Sequence, residues 1–160
     1  MLIREARETD CPAIAAIIMP TIAEGATYAL DRDMNIDDAI SYWMAADKET
    51  FVLEDGGDVI GTFYLRANQA GGGSHVCNCG YMTRHDAGGR GAGQFMCEQS
   101  MIIARARGYR AMQFNFVIST NAGAVRLWQR LGFDIVGRLP GAFDHPDHGF
   151  VDALVMFRAL

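Results

Sequence analysis

Between Tyr81 and Gln94 the chain reads Tyr-Met-Thr-Arg-His-Asp-Ala-Gly-Gly-Arg-Gly-Ala-Gly-Gln. Four glycines in this stretch, Gly88, Gly89, Gly91 and Gly93, carry no Cβ that would keep a ligand off the backbone. The pattern predicts a strand that ends, a loop, and an amphipathic helix from about Ala92. Free N–H groups and the positive end of the helix dipole then face one point, which suits a phosphate or pyrophosphate. Two other glycine loops fit less well. A Walker loop needs Lys-Ser or Lys-Thr after its last glycine, where this chain has Gln94 and Phe95. A dinucleotide fingerprint needs an acid about 20 residues on, where the residues are Gln113, Phe114 and Asn115.

Asn78 and Asn115 are the second chemical feature, because each interrupts a strand otherwise rich in apolar residues. A buried carboxamide without hydrogen-bond partners costs about 1–3 kcal/mol. Each asparagine therefore either bonds local backbone or water, or presents its carboxamide to a ligand. One oriented donor on a developing oxyanion is worth about 10²–10³ in rate. Glu24, His75 and Asp152 are candidate bases by residue type, and a water held by either asparagine is an equal alternative. His75, Cys77 and Cys79 alternate along one strand and share a face, but no second Cys/His pair has ligand spacing, so no metal is expected.

The elements that must position these groups belong to one domain spanning the 160 residues. Half the residues are apolar and 21% are charged, the balance of a globular chain. A net charge of −5 leaves no basic footprint for nucleic acid. No apolar run approaches the ~18 residues of a membrane span. The first residues lack a signal peptide's apolar core, and the four cysteines are expected to be free, so a cytoplasmic setting is expected.

Periodicity predicts a strand over residues 2–6 and a helix capped by Thr9 or Asp10 with an Ile14, Ile17, Ile18, Ile22 stripe. A loop over residues 23–28, able to line a pocket, leads to a second helix over 36–46, capped by Asn35 or Asp37. A glycine-turn hairpin over 50–54 and 59–65 follows, then a strand over 75–83, the glycine loop and a helix over 92–107. A strand over 111–118, a helix over 122–131 and strands over 133–139 and 150–157, separated by residues 140–148, complete the chain. The order makes an α+β domain with a single parallel step, from the strand ending at Thr83 to the strand at Ala111.

That order, with the glycine loop at the parallel step, resembles the GNAT superfamily of N-acetyltransferases. Gly88-Gly89-Arg90-Gly91-Ala92-Gly93 is similar to its acyl-CoA pyrophosphate loop, with Gly88 where a long polar side chain is usual. Asn121, Ala124, Leu127, Gly132 and Phe133 match a second motif, in which Trp128 occupies a tyrosine position. The resemblance implies acetyl-CoA as co-substrate, bound by residues 88–93, by the backbone of Tyr81, Met82 and Thr83, and by Asn121. In similar proteins the tyrosine protonates the departing thiolate. An indole cannot act as an acid near neutral pH, so water or the substrate ammonium's own proton is left for that role and direct transfer stays possible.

Phe63-Tyr64, Asn68, His75-Val-Cys-Asn-Cys-Gly-Tyr81, Phe114-Asn115 and Val151-Asp152-Ala153 resemble the branch that acetylates the proline analogue azetidine-2-carboxylate. This implies a small amine or imino acid as acceptor, with Asn78 and Asn115 binding it and positioning it for catalysis. Phe116 is implied in the same pocket, although an ideal strand points it away from Asn115 unless a bulge intervenes. A primary amino acid or amino-acid-like xenobiotic acceptor, and a non-catalytic acyl-CoA sensor, are the alternatives. Homodimers are usual among similar proteins, so the resemblance implies a homodimer.

Overall fold

The computed structural model describes residues 1–160. The chain runs β1 (Leu2–Glu5), α1 (Cys11–Glu24), α2 (Ile36–Trp43), β2 (Glu49–Asp55), β3 (Asp58–Ala67), β4 (Val76–Thr83), α3 (Ala92–Ala106), β5 (Ala111–Ile118), α4 (Ala122–Arg130), β6 (Asp134–His145) and β7 (Gly149–Ala159). The strands form one sheet in the order β1-β2-β3-β4-β5-β7-β6, and only β4 and β5 pair in parallel. This is the α+β architecture that the element order implies.

Each face of the sheet carries its own core. On one face the α1 stripe of Ile14, Ile17, Ile18 and Ile22 is shielded from solvent and packs with Ala39 and Trp43 against Val52, Tyr64 and Met82. The buried polar groups there are satisfied: Trp43 Nε1 donates to Thr62 Oγ1 at 2.9 Å, Thr62 donates onward to the Phe51 carbonyl, and Thr50 Oγ1 donates to the Trp43 carbonyl at 2.9 Å. On the other face Met96, Cys97, Met101 and Ala104 of α3, with Trp128 and Phe133, cover Phe63, Cys77, Cys79, Met112 and Phe114. The alternation of β4 divides its side chains between the two: Cys77 and Cys79 go to the α3 side, Met82 to the α1 side. The cysteines are free, and no three His, Cys, Asp or Glu side chains cluster closely enough to hold a metal.

Several boundaries differ from the sequence reading. The predicted loop over residues 140–148 is mostly strand, because β6 runs on to His145. As the outermost strand, β6 accommodates Pro140 and Gly141 at a register shift between Leu139 and Phe143, where no ladder N–H is required. His75 lies just outside β4, and α2 ends at Trp43 instead of continuing to Ala46. Asn35 caps α2 as expected, its side chain accepting from Asp38 N.

Asp10 does not cap α1 with its side chain. Its carboxylate takes a bidentate pair from Arg4 at 2.7 and 2.8 Å and accepts from Arg7 N, tying β1 to the start of α1. The Arg4 hydrogen bonds outweigh the cost of burial and hold the Asp10 carboxyl at about 2, below its ordinary value of 3.8. A depressed carboxylate contributes stability that is complete above its unfolded pKa and lost as pH falls through the folded one. The gap in urea midpoint between wild type and Asp10→Asn is therefore expected to be full at pH 6 and to close between about pH 4 and 2. A gap independent of pH over that range would show that the ion pair contributes nothing.

Candidate active site

The parallel ladder between β4 and β5 lasts for two rungs, Val76 with Ala111 and Cys77 with Met112, and then the strands part. Which main-chain groups face the opening follows from the neighbouring ladders. The Asn68 N–H to Val76 carbonyl and Arg84 N–H to Ile60 carbonyl bonds fix the alternation of β4 against β3. Even-numbered residues of β4 therefore bond to β3, and Tyr81 and Thr83 turn their N–H and C=O groups toward the gap. The Tyr81 carbonyl is taken by the Tyr28 hydroxyl at 2.9 Å, and on the β5 side the Gln113 carbonyl accepts from Asn78 Nδ2 at 2.9 Å. The amides of Tyr81 and Thr83 remain aimed into the space where β5 has left.

A cleft of about 540 Å³ lies at this gap and is lined from both faces of the sheet. Thr21, Glu24, Thr27 and Tyr28 line it on the α1 side, and Asn121, Ala124 and Trp128 on the α4 side. Asn78, Tyr81, Met82, Thr83, Asn115 and Phe116 form the wall between. The β5–β7 register slips by one residue between Phe114 and Val117, a bulge that brings Phe116 into the same cleft as Asn115. The irregularity required to turn Phe116 inward is thus present.

The two asparagines differ in freedom. Asn115 accepts from Gln113 Nε2 at 2.9 Å and donates to Asn68 Oδ1 at 2.6 Å, so one N–H and one lone pair remain. Asn78 is buried and spends only one N–H, on Gln113, so its oxygen is free. Asn121 accepts from Ala124 N at 3.3 Å as the α4 cap and keeps its amide hydrogens.

Some expected site groups are placed differently. Met82 lines the cleft, but its backbone pairs with Thr62 on β3 and its side chain packs in the core under α1, so its N–H faces β3. The Tyr81 side chain also points into a core, its hydroxyl 2.7 Å from Ser100 Oγ, leaving only its main chain for the cleft. Residues 88–93 lie beyond the cleft wall, which ends at His85. There Gly91 is the N-cap of α3 at φ 76° with no side-chain cap, and Gly89 has φ 77°. The first N–H groups of α3 are consequently free of a side-chain acceptor. Ala92 is buried, Gly88 and Arg90 are exposed, and Gly93 faces Leu127 of α4.

Of the candidate bases only Glu24 lines the cleft. His75 stands at the opposite end of β4, and Asp152 is bound to Arg138 and the Gly141 N–H. Burial raises the hydroxyls of Tyr28, Tyr64 and Tyr81 well above their ordinary value, so none ionises near neutrality. Sequence reasoning missed Arg66 and Tyr42 as wall residues. The Tyr64, Arg66, Asn68 alternation was the available signal for Arg66, whereas nothing local marks Tyr42.

Comparison with known proteins identifies the class. The acetyltransferase (GNAT) family model matches residues 11–133, and the chain belongs to that family. It is an acetyl-CoA-dependent N-acetyltransferase. A GCN5-related N-acetyltransferase from Kribbella flavida is 39% identical and superposes with a TM-score of 0.94, covering 99% of this chain and 97% of the other. The N-acetyltransferase aca1 of Schizosaccharomyces pombe is 28% identical over 151 residues, spanning 84% of this chain and 72% of its own. A phosphinothricin acetyltransferase from Sinorhizobium meliloti, solved in complex with acetyl-CoA, shares the fold with a TM-score of 0.85 at 21% identity over 99% and 88% of the two chains.

Trp128 lies against Tyr81 and Phe114, with ring centroids 5.3 and 5.2 Å away, and is 9% exposed. Its contacts are those of a packing residue at the cleft wall. Trp128→Phe is expected to lower the unfolding free energy by about 1–2 kcal/mol and to leave the ionisations in the kcat pH profile unchanged. Loss of one limb of that profile would show that a group beside Trp128 carries the leaving-group proton.

Proposed function

We propose that the enzyme acetylates the nitrogen of a small amine or imino acid of the proline-analogue kind by direct transfer. The observation that carries this reading is the gap after Cys77 and Met112, with two main-chain amides aimed into it and Asn78 and Asn115 on its wall. The pantetheine arm enters from the α4 side past Asn121, and the pyrophosphate rests on the uncapped start of α3 and residues 88–93. The thioester carbonyl reaches the gap, where the Tyr81 or Thr83 N–H stabilises its developing negative charge. The neutral acceptor nitrogen comes from the α1 side beside Asn78 and attacks the carbonyl carbon. A C–N bond forms as the C–S bond breaks, the thiolate departs, and the ammonium proton leaves by water toward Glu24 or the thiolate itself.

The cytoplasmic setting and a homodimer belong to the same proposal. The β6–β7 end, where Ile135, Val136, Leu139 and Phe150 are exposed, supports an edge for a second copy.

CoA release on an acceptor panel including azetidine-2-carboxylate, hydroxyproline, a polyamine and phosphinothricin tests the acceptor half. Asn78→Ala and Asn115→Ala are each expected to lower kcat/KM for the imino acid about 10²-fold with acetyl-CoA KM near wild type. The double variant should lose far less than the product of the single losses, because the residues act as a unit. Turnover confined to polyamines would contradict the acceptor class. For the cofactor half, a Cβ at Gly93 would meet only Leu127 Cδ2 at an ordinary 3.5 Å. Gly93→Ala is therefore expected to fold normally and raise acetyl-CoA KM about 10-fold by crowding the pyrophosphate. An unchanged acetyl-CoA KM would remove the loop from the binding site.

A further inference from the structure

We propose that Arg66 holds the carboxylate of the acceptor, which makes α-amino and α-imino carboxylates, in preference to plain amines, the substrate class of this cleft. The inference rests on the acetyl-transfer reading above and adds a residue that neither the motifs nor the family assignment supplies.

Arg66 lies on β3 directly opposite Asn78 of β4. Cross-strand partners share a face, with Cβ atoms about 4.5–5.5 Å apart, so the guanidinium and the carboxamide form one rung of the cleft wall. Tyr42 and Tyr64 line the same end. The guanidinium is only partly used. Its Nη1 lies 3.2 Å from Asp47 Oδ2, long for a charge-assisted bond, and the Asp47 side chain is 62% exposed. Its Nε is the one buried side-chain nitrogen or oxygen in the protein with no hydrogen-bond partner. The Nε–H has no acceptor within the protein, and the side chain, 34% exposed at the cleft wall, leaves Nη2 open to a ligand.

The surrounding charge agrees. The Lys48 ammonium sits 3.5 Å from the Tyr42 ring centroid and 4.8 Å from that of Tyr64, and donates to the Tyr42 carbonyl. Burial, and then the nearby Arg66 charge, lower its pKa to about 8. Arg66 thus has only the exposed Asp47 as an ion-pair partner and Lys48 has none, in a chain whose net charge is −5. A carboxylate at this end relieves that imbalance, and a planar bidentate acid suits the arginine fork. Geometry then fixes the acceptor class. In an α-amino or α-imino acid a single carbon separates the carboxylate from the nitrogen. Docking the acid on Arg66 therefore leaves the nitrogen beside Asn78, at the rim of the gap, whereas a long ω-amine would overshoot it.

The test compares acceptors matched except for the carboxylate: azetidine-2-carboxylate with azetidine, and alanine with ethylamine. Wild type is expected to prefer the acid of a pair by about 100-fold in kcat/KM. Arg66→Gln should abolish that preference through the KM of the acid, leaving the plain amine and acetyl-CoA within about twofold of wild type. Arg66→Lys, which keeps the charge but not the fork, should fall between the two. Asp47→Asn, which frees Nη1, should lower the KM of the acid. Equal losses on both members of a pair, or no preference in wild type, would overturn the role of Arg66 and leave acetyl transfer intact. Calorimetric titration of azetidine-2-carboxylate into the CoA-loaded protein separates the readings further. Binding in wild type that is lost in Arg66→Gln, without turnover of any amine, upholds the carboxylate subsite and contradicts the transfer mechanism. No binding in wild type overturns the subsite.

Discussion

The site depends on a hydrogen-bond ladder that stops. β4 and β5 are joined for two rungs and then part, in the middle of a sheet whose other ladders are longer. Ending a ladder inside a protein exposes main-chain groups that must find partners. Two of them do so through side chains, the Gln113 carbonyl with Asn78 and the Tyr81 carbonyl with Tyr28. Those side chains hold the opening at a fixed shape while the Tyr81 and Thr83 amides stay available. The same asparagine that stabilises the gap also lines the cleft.

Keeping such a gap open requires rigid support on both sides. α1 and α2 hold β3 and β4 through the isoleucine stripe and Trp43, while α3 and α4 hold β4 and β5 through Met96, Cys97, Phe114 and Trp128. Stacking of Phe114 on Phe133, with centroids 4.3 Å apart, fixes β5 immediately before its bulge. On the far side of β5 the antiparallel ladder to β7 resumes after the bulge, so β5 is held as it leaves β4. Helix packing, strand divergence and side-chain placement are thus one mechanical problem with a single solution.

The element order, the single parallel step and the capping asparagines could be read from the sequence, because they rest on local periodicity and on residues with strong positional preferences. The glycine loop was recognisable because glycine spacing and a helix start coincide. The extent of β6 was not, since Pro140 and Gly141 read as a break and only the edge position makes them tolerable in a strand. Asp10 looked like a cap, but its partner Arg4 is brought near by β1, a tertiary event. The inward turn of Phe116 needed the bulge against β7, which no local pattern announces. Arg66 and Tyr42 carried no motif, and only the register of β3 on β4 and the packing of α2 bring them to the cleft.

A crystal structure with CoA and azetidine-2-carboxylate tests whether acetyl transfer takes place in the gap beyond Cys77 and Met112. The CoA sulfur is expected between β4 and β5 on the Trp128 side, within reach of the Tyr81 and Thr83 amides. The pyrophosphate is expected at the start of α3, and the acceptor nitrogen beside Asn78 with its carboxylate toward Arg66. CoA lying outside the gap, or an acceptor seated away from the β3–β4 wall, would contradict transfer at that place.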